Sequence, residues 1–365
     1  MSAVRSRHFQ PADEAELNAL YNCIVGTRGL APARSMQLFR WLWYHAPGGP
    51  IASWVVESEQ NDGSWKIVGH HALFPVRFTL GEDDLLCAKT ANSFLLPEFR
   101  SKFLYLRFEK ECLAEADRRF DATYSCARGV TRIRKPLGYA GDARWIRMVR
   151  GLQSPSALSR LAGVLANRYP GPAWGRMARV LAAVSERDDR TSPLKLVELS
   201  SAEAMQSACF SQFWQEARLC AGMSPRRDRA DLTWRFWQRP GTTYATLIHE
   251  ACGSCGYCIV NTSNPCSFFL EDIFVLPLRT GLLEALLAAL FQWCARRGAL
   301  LLTFCTASDG QPPEFMETFA RYMRLHPLQR FRPPKEMPRR VSPHVKTKLG
   351  IAVPGWNATS LLAPG

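Results

Sequence analysis

Trp41-Leu-Trp-Tyr-His-Ala-Pro47-Gly48 returns later in the chain as Trp234-Arg-Phe-Trp-Gln-Arg-Pro240-Gly241, with the same spacing from leading tryptophan to proline. A match this short carries weight only if its surroundings match too. Each copy runs into a β-like stretch, Ala52-Ser-Trp-Val-Val-Glu57 or Tyr244-Ala-Thr-Leu-Ile-His249, and then into a strand led by Gly69 or Gly256. Next come Phe94-Leu-Leu-Pro97 and Phe274-Val-Leu-Pro277, each followed by an amphipathic helix, Ser101 to Arg118 or Gly281 to Arg297. Strands Ala122-Thr-Tyr-Ser-Cys126 and Leu300-Leu-Leu-Thr-Phe-Cys305 close the series. Matches in one unbroken order predict two copies of a single α/β unit.

Composition agrees with a large folded chain. Its 365 residues, 47% hydrophobic and 21% charged, exclude disorder as the main state and allow two ordinary domains. We divide the chain into an N-terminal unit over residues 1–150, a helical connector and linker over 151–195, a C-terminal unit over 196–330 and a basic irregular tail over 331–365. The net charge of +14 favours anionic partners. The first residues lead into Gln10-Pro-Ala-Asp-Glu14 and not into an apolar run, so a cytoplasmic location is expected. No apolar stretch approaches the roughly 20 residues of a bilayer span. Twelve cysteines are scattered, mostly as small reduced hydrophobes. Cys252, Cys255 and Cys258 have thiolate-pair spacing, but no second pair follows at zinc-finger distance, and no metal is expected.

The pieces Ile67-Val-Gly-His-His-Ala-Leu-Phe-Pro75, Leu96-Pro-Glu-Phe-Arg-Ser-Lys102 and Pro136-Leu-Gly-Tyr139 together resemble the GNAT superfamily of acyltransferases. The stretches Arg227-Asp228, Leu232-Thr-Trp234-Arg235 and Pro240 to Tyr244 are similar to the C-terminal half of tandem members. The resemblance implies an α/β (α+β) fold: two tandem GNAT-like domains, each a mixed, mostly antiparallel sheet flanked by helices. It also implies an acyl-CoA donor, acetyl-CoA or longer, whose pyrophosphate lies on backbone amides at a helix N-terminus. Carried over by position, Arg100, Ser101, Lys102, Phe103, Leu104 and Tyr105 would form that cradle. The family has small residues where this chain has Phe103 and Tyr105.

Acyl transfer to an amine needs a base for the ammonium and a proton for the departing thiolate. The strand before the first cradle carries no carboxylate; Asn92 and Ser93 there can hydrogen-bond substrate or position a water. On the preceding strand His70 and His71 point to opposite faces, and we take His71 as the base, beside the alternative of a hydrogen-bonded structural histidine. Arg134 stands where relatives place an acidic tyrosine and is suited to a phosphate or carboxylate. Tyr124 is the substitute acid, or else a core tyrosine. Glu271 and Asp272 occupy the corresponding strand of the second copy and can serve a site between the halves, or simply pair with arginine. Trp41 and Trp234 are either stacking walls for a substrate or core anchors.

The leading expectation is therefore an N-acyltransferase moving an acyl group from acyl-CoA to a primary amine, on an amino sugar or sugar nucleotide. A catalytically degenerate GNAT-fold binding or regulatory protein is the alternative. A basic nucleic-acid-binding protein ranks third, since no recognition signature accompanies the charge. The sequence sets no oligomeric state.

Overall fold

The computed structural model describes residues 3–27, 33–100, 102–125, 134–140, 144–152, 194–219, 223–249, 256–275, 281–307, 313–325, 335–336 and 339–341. The first half builds β1 (Val4–His8), α1 (Glu14–Thr27), α2 (Met36–Tyr44), β2 (Ala52–Glu59), β3 (Trp65–Leu80), β4 (Asp83–Leu95), α3 (Lys102–Arg119), β5 (Ala122–Ser125) and β6 (Arg144–Gly151). The second builds β7 (Leu196–Leu199), α4 (Ser201–Gln206), α5 (Cys209–Ala217), β8 (Met223–Pro225), α6 (Arg229–Leu232), β9 (Tyr244–His249), β10 (Gly256–Asn261), β11 (Ser267–Val275), α7 (Leu282–Arg296), β12 (Leu301–Ala307) and α8 (Pro313–Tyr322). Short strands β13 (Arg324–Leu325), β14 (Lys335–Glu336) and β15 (Arg339–Val341) follow. The connector helices expected within 151–195 fall largely outside the described residues.

Two mostly antiparallel sheets result, ordered β1-β2-β3-β4-β5-β15 and β13-β6-β12-β11-β10-β9-β7, with β8 on β3 and β14 on β6. In each, only the fourth and fifth strands of the repeat run parallel. Cys87 to Thr90 pair with Ala122 to Ser125, and Ser267 to Leu270 with Leu301 to Phe304. β4 and β11 then continue past the last pair, so each sheet opens along that seam.

The expected order of elements appears in both halves, but the sheets exchange strands. β6 lies antiparallel on β12, inside the second sheet, and β15 lies antiparallel on β5, inside the first. The tail read as irregular thus supplies an edge. An unpaired fifth strand would leave a row of open backbone groups, which a short crossing strand satisfies. Arg340 fixes β15 in place by a bidentate pair with Asp117 on α3.

The helices sandwich the sheets. Phe108, Cys112, Leu113 and Ala116 of α3 pack on one face of the first sheet, and Leu17, Phe39 and Trp43 of α1 and α2 on the other. The apolar stripe of α7, with Leu283, Leu286, Leu287 and Leu290, covers the second sheet, opposite Phe210, Phe213 and Trp214 of α5. A further cluster joins the halves, with Phe78, Cys87 and Tyr124 meeting Trp145, Cys305 and Ala307.

The two tryptophan motifs open with the same cap. Ser35 Oγ accepts from Leu38 N at 3.1 Å before α2, and Asp228 Oδ1 accepts from Asp231 N at 3.0 Å before α6. The copies then part. α2 stays α-helical through Trp41, whereas the second copy widens into a π-turn, Thr233–Trp237.

Gly256 opens β10 as expected, whereas Gly69 lies inside β3, which begins at Trp65; both glycines nevertheless do one job. A Cβ on Gly69 would run into Leu95 and the Phe94 carbonyl, and one on Gly256 would sit 2.9 Å from the Phe274 carbonyl. Each lets the third strand close on the far end of the fourth. Gly256→Ala, blocked by the Phe274 carbonyl and by the short, branched Val275 side chain, is expected to cost about 1–3 kcal/mol, as overpacking does. Chemical denaturation measures it, and an unchanged midpoint would show that the strands separate freely.

Candidate functional site

The first seam is filled by protein. Thr90 is the last β4 residue paired with β5, and Arg134, 2% exposed, donates to its hydroxyl. Arg134 Nε stands 2.5 Å from Glu109 Oε1 of α3, its Nη2 3.5 Å from the Tyr105 hydroxyl, and the Tyr139 ring lies 5.4 Å away. Burial works against this guanidinium's charge, yet the facing Tyr139, Glu109 and Tyr105 raise its pKa. Arg134 is therefore an internal strut, where a substrate ligand was expected.

Two of the expected cradle residues, Leu104 and Tyr105, turn inward as well. Arg100 Nε donates to the Leu95 carbonyl at 2.8 Å, and Leu104 and Tyr105 pack on the α3 core. Ser101 lies outside the described residues, and Lys102 and Phe103 are described only as the opening of α3. Of the described cradle side chains, those of Leu104 and Tyr105 are committed to the core.

Both histidines are interior. β4 bulges at Asn92, whose φ is +52°, so that its carbonyl meets His70. His70 donates from Nδ1 to Asn92 O at 2.9 Å and accepts at Nε2 from Ser53 Oγ at 2.7 Å. His71, expected as the base, has 0% exposure. Its Nδ1 meets Ser93 Oγ at 2.7 Å, its Nε2 is buried without a partner, and Trp54 and Phe108 flank the ring. Burial is the first cause lowering both pKa values, to about 4 for His70 and well below the ordinary range for His71, where the Arg134 charge adds to it.

Two neutral buried histidines have a consequence in acid. The unfolded chain binds their protons near pH 6.5 and the fold does not. Stability present above that pH is lost as pH falls toward 4, by up to about 1.4 kcal/mol per pH unit for each histidine. Urea midpoints at pH 7.5 and 5.5 test this; equal midpoints would mean that both rings protonate inside the fold.

In the second half the two strand carboxylates have different surroundings. Asp272, 0% exposed, accepts from Arg227 Nε at 3.1 Å and from the Tyr257 hydroxyl at 2.7 Å. Arg227 also donates to Ser224 Oγ at 2.5 Å and lies over Phe274. Asp272 is thus an anchor. Glu271, its neighbour on β11, is half-buried and accepts from Asn261 Nδ2 at 3.3 Å. Burial raises its pKa against the pull of Asn261, Arg239 and Arg235. It lies one residue past Leu270, the last β11 residue paired with β12, at the opening of the second seam.

Trp41 and Trp234 stack on each other, centroids 4.8 Å apart and planes 17° from parallel. Equivalent residues of the two copies thus meet face to face. Their facing sides are spent on this contact. Arg235 lies over Trp234 at 5.7 Å and Arg239 over Trp41 at 5.8 Å, the latter near the Tyr244 hydroxyl. Tyr124 is buried in the core between the sheets, against Phe78. Glu109, Arg235, Arg239 and Tyr244 were not singled out from sequence. The two arginines were visible there as departures of the second motif from the first, at Leu42 and Ala46. Cys258 is a buried thiol on β10, and Cys252 and Cys255 lie outside the described residues.

Solved structures share this fold. A probable N-acyltransferase of unknown function from Enterococcus faecalis V583 matches 94% of this chain and 73% of its own, with 12% identity and a TM-score of 0.59. A GCN5-related N-acetyltransferase from Anabaena variabilis matches 93% and 73%, with 12% identity and a TM-score of 0.59. A tandem GNAT protein from the clavulanic acid biosynthesis pathway matches 93% of this chain and 99% of its own, at 14% identity and a TM-score of 0.55. The chain has a tandem GNAT fold. No protein-family profile and no curated protein sequence matches it. Within this tandem GNAT fold, no helix among the described residues is long and apolar enough to cross a membrane. No cluster of three metal-ligating side chains occurs among them either.

Proposed function

We propose that this chain is an acyl-CoA-dependent N-acyltransferase that works from its second half, with Glu271 as general base. The observation that carries the reading is the contrast between the seams. The first is closed by the Arg134–Glu109 pair, and its strand offers Ala91 and Asn92 where the second offers Glu271 and Asp272. In the second, α7 starts behind Gly281, at φ +88° with open space around a would-be Cβ, which suits backbone approach by a phosphate.

Acyl-CoA supplies an activated thioester when bound. The residues bring a neutral amine to it. Glu271, raised by burial yet within reach of solvent, accepts a proton from the acceptor's ammonium. The freed lone pair then forms the amide bond as the carbon–sulfur bond breaks, and the proton that the nitrogen sheds goes to the departing CoA thiolate, which leaves as the thiol. Asp272, locked by Arg227 and Tyr257, holds β11 in register so that Glu271 keeps its position. His71 and Tyr124 receive no proton-transfer role, because both are closed inside the core. An amino sugar or sugar nucleotide remains within the acceptor class, and the charge of +14 suits it.

Isothermal titration with acetyl-CoA tests the donor site. Saturable binding is expected, and its absence, with absence of binding to a longer acyl-CoA, would remove the reading.

A further inference from the structure

Two guanidiniums of the second half stand without an acid. Arg134, Arg227 and Arg77 each have one, in Glu109, Asp272 and Asp231. Arg235 and Arg239 make no ion pair among the described residues, and Arg239 Nε is buried without a hydrogen-bond partner. Burial is the first cause lowering the Arg235 pKa; Tyr124, Asp231 and Asp272 pull against it, and Asp231 and Asp272 are already held by Arg77 and Arg227.

Stacking does not account for them. Their 5.7 and 5.8 Å distances lie near the roughly 6 Å limit of a cation–π contact. Arg34 over Tyr21 and Arg5 over Trp65 sit at 3.9 Å. Nor does the fold require cations here. The first copy places Leu42 and the buried Ala46 at these positions and builds the same motif. Only the copy with arginines carries the π-turn, a distortion that recurs at functional sites. The Tyr244 hydroxyl, buried and without a partner of good geometry, lies in electrostatic reach of Arg239. Glu271 feels both guanidiniums.

We propose that Arg235 and Arg239 bind an oxyanion, carboxylate or phosphate, carried by the acyl acceptor itself. The acceptor class is then an amine with an anionic group on the same molecule, its ammonium at Glu271 and its oxyanion at the arginine pair. This assignment of the acceptor rests on the acyltransferase reading; the anion site itself does not.

The test copies the first half into the second. Inorganic phosphate is titrated into the wild type and into Arg235→Leu/Arg239→Ala, with binding expected in the wild type and weakened at least tenfold in the variant. Should the variant not fold, phosphate protection of Arg235 and Arg239 from phenylglyoxal, mapped by mass spectrometry on the wild type, decides the same point. Thiol release from acetyl-CoA is then compared for β-alanine against propylamine and for phosphoethanolamine against ethanolamine. A preference of at least tenfold for an anionic amine, collapsing in the variant, is expected, and the pair with the larger preference tells carboxylate from phosphate. Equal phosphate binding by both proteins, or no protection, would overturn the site. Phosphate binding lost in the variant, with no thiol release from any amine, would uphold the site and remove the reaction.

Discussion

Arg227→Ala is expected to destabilise the protein by about 3–5 kcal/mol, the range for removing one member of a buried ion pair. The substitution takes the guanidinium from the Asp272 carboxylate, 0% exposed, to which the Tyr257 hydroxyl still donates. The loss should spread across the molecule. Arg227 follows β8, which pairs with β3 of the first sheet, and it grips β11 of the second. Nearby, Arg77 of β3 reaches Asp231 at 2.5 Å. Replacing both partners, as Arg227→Met/Asp272→Leu, removes that buried charge as well and is expected to recover most of the loss. Urea denaturation of the three proteins tests this; a single variant within about 1 kcal/mol of wild type would mean that water reaches Asp272.

Glu271→Gln is expected to lower kcat for acyl transfer by about 10²–10⁴, the usual contribution of a general base. Glutamine keeps the shape and can keep the Asn261 contact, so affinity for acetyl-CoA should hold. The pH profile separates proton transfer from packing. The wild-type rate should rise through a pKa above the ordinary glutamate range, since burial raises it, and that limb should vanish in the variant. A variant with full activity on an amine that the wild type acylates would end the role of Glu271. His71→Asn is the control, expected to cost stability through its Ser93 contact rather than to remove the pH limb.

Much of the fold was legible because the repeat encodes it locally. α3 spans Lys102–Arg119 and α7 Leu282–Arg296, within one or two residues of the expected helices. The paired glycines and caps are short-range features that chain spacing records directly. Strand exchange left no such mark, since backbone hydrogen bonds along an edge are blind to which half supplies the partner. The candidate site was half legible. Glu271 and Asp272 stood out as strand carboxylates, but their roles depend on whether Arg227 and Tyr257 arrive from elsewhere. Arg134 misled for a related reason: a guanidinium beside a turn reads as a phosphate ligand until Glu109, on another element, is seen to occupy it. His71 lost its expected role to burial by Trp54 and Phe108, which neighbouring residues on one strand do not reveal.

The exchanged strands also set an order on synthesis. β6 leaves the ribosome before any other strand of its sheet, whereas β15 appears after every other strand of its own. At about 5–20 residues per second, translation from Gly151 to Val341 takes on the order of 10–40 s. Collapse is faster by orders of magnitude, with about 10–100 μs typical for chains near 100 residues. The nascent protein therefore holds an orphan strand until β12 is made, at Ala307, and an open edge until β15 follows at Val341. Chaperones that shield β-edges, and codon choice that shortens the wait, are thus determinants of its yield.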